Sequence, residues 1–347
     1  MNASPIAVVI LNYNGKKLLE QFLPGVVQHS NPHQIYIADN CSTDDSLAFI
    51  KNHFPTVKII QNKSNLGYAG GYNEALKDLS EKYFMLLNND VEVTENWLTP
   101  LLELLEKNIK IAACQPKMLA FNKKNEFEYA GASGGFIDKY GYPFCRGRLF
   151  YELEKDNGQY NSVEEVFWAS GACLFVRADL FNKNNGFDSD LFAHMEEIDL
   201  CWRFKNLGYS IFVQPQSIIY HVGGGTLNKI SPNKTFLNFR NNLIMFTKNH
   251  PPGLLFFKII WRLKLDGVAA IKFLLSGEGM HFIAVIRAHF AFYAQLSNTL
   301  SKRKKQKEFE NFKFNFSNVY MKNIVFEFYL NRKKKFSELN TRLFSKS

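Results

Sequence analysis

Within its first ninety residues the chain repeats one pattern four times: a short apolar run stops abruptly on asparagine or aspartate. IAVVIL ends in Asn12-Tyr13-Asn14, QIYIA in Asp39-Asn40, VKIIQ runs into Asn62-Lys63-Ser64-Asn65, and YFMLL ends in Asn88-Asn89-Asp90. Between these runs KKLLEQFLPGVVQH, SLAFIKNHF and GYNEALKDL carry helical spacing. Strands that alternate with helices so regularly predict a mostly parallel, Rossmann-like α/β sheet covered on both faces. In open sheets of this kind ligands bind beyond the carboxyl ends of the strands. Four strand ends therefore place amides and carboxylates around one ligand site.

At 347 residues and 46% hydrophobic, the chain has enough apolar mass for one catalytic-sized domain and something smaller. Its five cysteines form no CxxC pair, which argues against a zinc site or a secreted disulfide framework and for a reducing compartment. The opening MNASPIAVVILNYNG has no basic flank and only a brief apolar run, too short for a signal peptide or a membrane span, so a cytoplasmic location is expected.

The net charge of +10 is unevenly divided: residues 1–227 hold 20 Lys+Arg against 26 Asp+Glu, and residues 228–347 hold 22 against 6. A long basic segment that is also apolar points to an anionic membrane surface rather than to nucleic acid. A domain boundary is placed near 227, after His221-Val222-Gly223-Gly224-Gly225, separating a catalytic domain (1–227) from an amphipathic helical region (228–300) and a basic tail (301–347). In 253–275, Lys258, Arg262, Asp266 and Lys272 share one helical arc, with Leu, Phe, Ile and Trp covering the wider remainder. Periodicity leaves open whether lipid or the catalytic domain meets that apolar arc. Residues 115–165 read as a loop-rich, glycine-dotted section. In VFWASGACLFVRADLF the Ser-Gly-Ala centre suggests a strand approached closely by a ligand or another backbone.

Several of these residues suit specific chemistry. Asp90, a carboxylate at a strand end, is a natural ligand for a hard divalent cation, although Asn and Asp also favour turns. Asp39 sits where an acidic residue contacts base or ribose in dinucleotide folds. Gly67, Gly70 and Gly71 in NLGYAGGYNEAL permit close backbone approach beside a helix N-terminus suited to phosphate. Glu196, Glu197 and Asp199 crowd three carboxylates into four residues, which raises at least one pKa if they share a site. His221, before the glycines, suits a metal or a diphosphate.

In this order, VVILNYNG, IADNCSTDDS, NLGYAGGYNEAL, LLNNDV, GACLFVRADLF with GFD, and EEIDLCWR resemble family-2 glycosyltransferases of the GT-A fold, in a bacterial rhamnosyltransferase-like branch. The resemblance covers residues 6 to about 225. It implies a nucleotide-diphosphate sugar donor, UDP-, dTDP- or GDP-linked, and a divalent metal, Mn²⁺ or Mg²⁺. Tyr13 matches the aromatic that lies against the base, and Asp39 the carboxylate that binds it. Asn88-Asn89-Asp90 corresponds to the family's DxD motif, with Asn88 where many members have the first Asp. The resemblance also places Asn12, Asn65, Gly67, Asn73, Glu196 and Trp202 at the donor, and Glu197 as the catalytic base, with Glu196 its alternative.

The expected activity is inverting transfer to a hydroxyl acceptor, a lipid-linked cell-surface glycan precursor, by a protein held at the inner face of the membrane. Two rivals stay open at this level. A sugar-phosphate nucleotidyltransferase shares the sheet but carries a glycine-rich basic loop where this chain has NYNGKK. A non-catalytic nucleotide-sugar-binding or assembly protein needs Asp39 and Asp90 but no base.

Overall fold

The computed structural model describes residues 4–223 and 231–346. The boundary expected near 227 lies outside the described residues. The chain opens as β1 (Ile6–Asn12), α1 (Lys16–His29), β2 (Gln34–Asp39), α2 (Ser46–His53), β3 (Lys58–Gln61), α3 (Gly67–Leu76) and β4 (Tyr83–Asn88). β5 (Val91–Val93), α4 (Thr99–Lys107), β6 (Ile111–Ala120) and β7 (Lys123–Phe127) follow, then the short β8 (Gly135–Asp138), β9 (Pro143–Cys145), β10 (Arg148–Leu149) and β11 (Glu152–Leu153). Next come β12 (Glu164–Val166), β13 (Cys173–Arg177), α5 (Ala178–Lys183), α6 (Glu196–Asn206) and β14 (Ser210–His221). The last elements are α7 (Pro232–Asn249), α8 (Leu255–Leu275), α9 (Gly279–Ala294), α10 (Leu296–Gln306), β15 (Val319–Tyr320) and α11 (Ile324–Tyr329).

The main sheet runs β12-β14-β6-β13-β4-β1-β2-β3. Its β4-β1-β2-β3 half is parallel, as the alternating pattern predicts, and β13 is inserted antiparallel between β4 and β6. β1 is apolar from Ile6 to Leu11 because both its faces are covered. Ala7 and Val9 pack in one core with Tyr72 and Phe181, while Ile6, Val8 and Ile10 pack in another with Leu19, Leu23 and Leu101.

Residues 115–165, read as loop-rich, instead hold the end of β6 and a small sheet ordered β11-β10-β9-β8-β15. Strands of two to four residues are too short for alternation to reveal. The fifth strand comes from the segment expected as a basic tail: Val319 pairs with Ile137, and Tyr320 with Asp138. Around it, the rings of Phe336 and Phe344 lie 5.4 and 5.1 Å from that of Phe136.

Of the helices beyond residue 231, α7 packs on α6 and α9, and α8 packs on α9. Among the described residues no helix is long and apolar enough to cross a membrane.

Candidate functional site

Sheet register assembles the polar rim. Asn12 stands opposite Asp39, and Leu11 opposite Asn88, so the ends of β1, β2 and β4 lie side by side. Asn12 is fully buried. Its amide nitrogen donates to Asp39 Oδ1 at 3.4 Å, Ser42 Oγ at 3.2 Å and Ser46 Oγ at 3.1 Å. Its oxygen accepts from Asn89 Nδ2 at 3.1 Å. Asp39, 1% exposed, also accepts the Ser42 N–H at 3.0 Å. A carboxylate has about four acceptor positions, so Asp39 keeps acceptor capacity beyond these two contacts. Tyr13 is 50% exposed at the same edge, its turn fixed by Asn14, whose Oδ1 accepts the Thr43 N–H at 2.7 Å.

Asn40 joins this rim to α3. Its Nδ2 donates to Asn65 Oδ1 and to the Gly67 carbonyl, both at 2.9 Å, and its Oδ1 accepts the Leu66 N–H at 3.2 Å. Gly67 has φ of +71°, and a Cβ there would fall 2.5 Å from Phe192, so glycine alone fits. Asn73 is committed elsewhere. It donates to the Phe187 carbonyl at 2.8 Å and accepts the Phe187 N–H at 2.9 Å, clamping the chain that leads into α6.

A second cluster forms where the turn between β4 and β5 meets the end of β14. Asp90 Oδ1 lies 3.0 Å from His221 Nε2, Asp90 Oδ2 accepts the Gly223 N–H at 3.2 Å, and Asn88 Nδ2 is 3.4 Å from the same ring nitrogen. On the ring's other side Glu128, buried and unsuspected from the sequence, brings Oε1 to 3.2 Å from His221 Nδ1, close enough for charge attraction. Burial opposes a charged imidazole, but the Glu128 and Asp90 carboxylates outweigh it and raise the His221 pKa to about 10. Asp90 in turn is held below the usual carboxylate range: burial works against its charge, and the bond and charge of His221 prevail.

These residues fit a divalent cation in part. Two ligands at right angles on a metal with bonds of about 2.1 Å stand about 3 Å apart, and Asp90 Oδ1 and His221 Nε2 are 3.0 Å apart. Among the described residues no three His, Cys, Asp or Glu converge as a metal cage. A cation bound here would displace the proton that Glu128 and Asp90 otherwise hold on His221; the protein would then offer two donors and leave other positions to a ligand, with Glu128 beside the ring's other nitrogen.

The third part opens α6. Phe192, His194 and Met195 all have positive φ, an uncommon conformation for such residues, held because Asn241 of α7 donates to the carbonyls of Leu191, Ala193 and His194, each at 2.8 Å. The three carboxylates of the first turn then diverge. Asp199 is engaged by Arg203 at 2.9 Å, Asn249 at 2.7 Å and Lys248 at 2.8 Å. Glu196 and Glu197 each keep a buried Oε2 with no partner among the described residues. Burial raises Glu197 to about 7, and burial plus the Glu197 and Asp199 charges raise Glu196 well above the usual range.

Tyr68 of α3, near both glutamates, donates to the Gly171 carbonyl at 2.5 Å. The neighbouring Ala172 carbonyl accepts the Asn88 N–H at 3.0 Å. The close approach expected at Ser-Gly-Ala is therefore made by the Tyr68 side chain: a Cβ on Gly171 would fall 2.8 Å from its hydroxyl. Trp202, expected at the donor, is fully buried, donates to the Asn315 carbonyl at 3.2 Å and packs edge-on against Phe167. Its ring is part of the core.

Rim amides, an exposed aromatic and a carboxylate–imidazole pair lie at strand ends of one sheet, and two glutamates, each with one buried oxygen unpartnered among the described residues, open α6 near Tyr68, an arrangement able to bind a phosphorylated nucleotide and to accept a proton. Comparison with known proteins gives it a lineage. The chain is 25% identical over 241 residues to the N-acetylglucosaminyl-diphospho-decaprenol L-rhamnosyltransferase of Mycobacterium tuberculosis, a match spanning 64% of this chain and 77% of the relative. In fold it is similar to S. aureus TarS in complex with UDP-GlcNAc (TM-score 0.53, 14% identity, 92% of this chain and 99% of that one). It is also similar to a mannosyltransferase from Pyrobaculum calidifontis in complex with GDP-Man and Mn²⁺ (TM-score 0.51, 14% identity, 89% of each chain). These neighbours bear out the GT-A fold. The sequence profile of glycosyl transferase family 2 matches residues 7–182, from β1 into α5, and so takes in the rim, Asp90 and the Tyr68–Gly171 contact; the chain belongs to that family of glycosyltransferases.

Proposed function

We propose that the protein moves a sugar from a nucleotide-diphosphate donor to a hydroxyl of a lipid-linked glycan precursor, with inversion, at the cytoplasmic face of a membrane. The observation that carries this reading is the pair of unpartnered glutamate oxygens at the start of α6, one of them on a carboxyl with a pKa of about 7. A buried oxygen without a partner is costly unless a ligand supplies one. Glu197 takes the proton of the acceptor hydroxyl as that oxygen bonds to the anomeric carbon, and the bond from that carbon to the diphosphate breaks on the opposite face. Glu196, its carboxyl also pushed up by burial and by the Glu197 and Asp199 charges, is the second member of the pair and hydrogen-bonds sugar or acceptor. Tyr13 lies against the base, while Asp39 and the amides of Asn65, Asn88 and Asn89 face base, ribose and phosphate. Asp90 and His221 would hold a divalent cation, Mn²⁺ or Mg²⁺, whose chemistry when bound is to neutralise charge on the departing diphosphate.

The relative from Mycobacterium tuberculosis, a rhamnosyltransferase named for a diphospho-decaprenol substrate, supports a lipid-linked acceptor. Neighbours solved with UDP-GlcNAc or with GDP-Man and Mn²⁺ support a nucleotide-sugar donor and a metal. The test is a thermal-shift screen against UDP-, dTDP- and GDP-sugars, with and without Mn²⁺, followed by transfer assays with Glu197→Gln. Donor binding retained and transfer abolished is the expected result. Transfer at the wild-type rate would remove Glu197 from this role.

A further inference from the structure

The centre of α8 is built inside out. There α8 buries two charges: Arg262 is 2% exposed and Asp266 1%. Arg262 donates to the Tyr140 carbonyl at 2.6 Å and stacks 3.6 Å from the Tyr142 ring centre, and Asp266 accepts the Tyr142 hydroxyl at 3.3 Å. The polar arc read from the sequence thus turns towards the protein at its centre. Of the ten exposed positions on α8, eight are apolar and two are Lys264 and Lys272. Phe257 is 67% exposed, Leu275 82%, and Phe290 on the adjoining α9 69%. A helix whose outer face met only water would carry the reverse pattern. Large apolar side chains gathered on two neighbouring helices mark an interaction face.

We propose that the outward face of α8 and α9 docks on an anionic lipid bilayer and lies in its headgroup boundary. Charge decides the occupant. Lys264 stands within the apolar arc and Lys272 is exposed at its border, Arg287 is exposed on α9, and Lys304 and Lys305 are exposed on α10. Residues 228–347 carry 22 Lys+Arg against 6 Asp+Glu, so a second copy seated on this face would be repelled, whereas an anionic surface is attracted. Trp261 and Tyr293 are also exposed, the aromatic types that favour a membrane–water boundary. Neither helix is long and apolar enough to span, which leaves the in-plane arrangement.

The placement serves the site. α9 packs on α7, and α7 carries Asn241, which holds the turn before Glu196 and Glu197. A single helix layer thus separates the docking face from the turn that positions the two glutamates. This inference deepens the proposed lipid-linked acceptor and rests on it for its purpose.

The test is flotation of the full chain with vesicles of phosphatidylcholine alone or mixed with phosphatidylglycerol, using wild type and the triple variant Phe257→Glu, Ile271→Glu, Phe290→Glu. Wild type should float with the anionic vesicles, less at high salt, and the triple variant about tenfold more weakly. The donor-induced thermal shift should be the same in both proteins, which shows that the variant is folded. Wild type that ignores both vesicle types, or a triple variant that floats equally well, overturns the proposal. So does a wild-type dimer that the substitutions disperse without any vesicle binding. Vesicle binding without any donor response would instead count against the transferase reading and leave the docking face assigned.

Discussion

Asp90 Oδ1 and His221 Nε2 lie 3.0 Å apart although 131 residues separate them in the chain. β14 makes this possible: it enters beside β6 and ends at His221 opposite Val91, one residue beyond Asp90. If the pair holds the cation, Asp90→Ala removes one of two protein donors. Metal-dependent stabilisation by the nucleotide-sugar should then vanish, and kcat/KM should fall by about 10²–10³. Calorimetric titration of Mn²⁺ and donor into wild type and variant checks it; equal metal binding in both would dismiss Asp90 as the ligand.

Glu197 gives a prediction in pH. With burial raising its pKa to about 7, the carboxyl is mostly protonated at lower pH and cannot accept the acceptor's proton. The transfer rate should therefore drop about tenfold per pH unit on the acid side. Stability runs the other way. The folded state holds this proton more tightly than the unfolded chain, so the group costs stability as pH rises from the ordinary glutamate value of 4.5 through about 7. Glu197→Gln should lower kcat by about 10²–10⁴ and flatten this part of both profiles. A pH–rate curve whose acid limb survives in a residually active variant would assign the limb to another group.

What the sequence disclosed and what it withheld divide along physical lines. β1, β2 and β4 were legible because strands buried on both faces are continuously apolar and stop on polar rim residues, a local signal. Asp90 and His221 were each marked by a strand end. Their partner Glu128 was not, since NEFEYA has no pattern and its value comes only from the register that carries His221 to it. Tyr68 was hidden in a motif whose glycines drew attention. Trp202 and Asn73 misled for a related reason: they lie in the right motifs, but α6 turns Trp202 into the core and α3 turns Asn73 towards Phe187. Helical spacing shows which residues share a face and does not show what that face meets.

The Tyr68–Gly171 contact can be probed from both sides. Tyr68→Phe leaves the Gly171 carbonyl without this donor and should cost about 1–3 kcal/mol. Gly171→Ala places a methyl 2.8 Å from the Tyr68 hydroxyl and should cost about 1–3 kcal/mol through overpacking. In the double variant the costs should not add, because both changes break the same contact. Urea unfolding of the three proteins measures this; strict additivity would mean that the contact is incidental.

Trp202 separates a core role from a donor-binding one. Trp202→Ala should destabilise by about 3–5 kcal/mol, as expected for a large buried ring. Trp202→Phe fills much of the volume between Phe167 and Phe246 but loses the bond to Asn315, and should leave donor affinity unchanged. A large loss of donor affinity in a Trp202→Phe protein of near-normal stability would return the residue to the site.

The final thirty residues are expected to support the fold. Phe328 of α11 is fully buried, its ring 4.7 Å from Phe150 and 5.2 Å from Tyr151, both in the turn that joins β10 to β11 of the small sheet. Phe328→Ala should therefore cost about 3–5 kcal/mol, whereas a surface site in a solvated tail would cost about 0.5 kcal/mol or less. Lys334→Ala is the companion: its half-buried ammonium lies 3.5 Å from the centre of the Phe328 ring, a contact worth about 0.5–2 kcal/mol. Denaturant midpoints for the two variants should differ accordingly. Equal, small effects at both positions would mean that the segment contributes little to stability and that its basic residues act elsewhere.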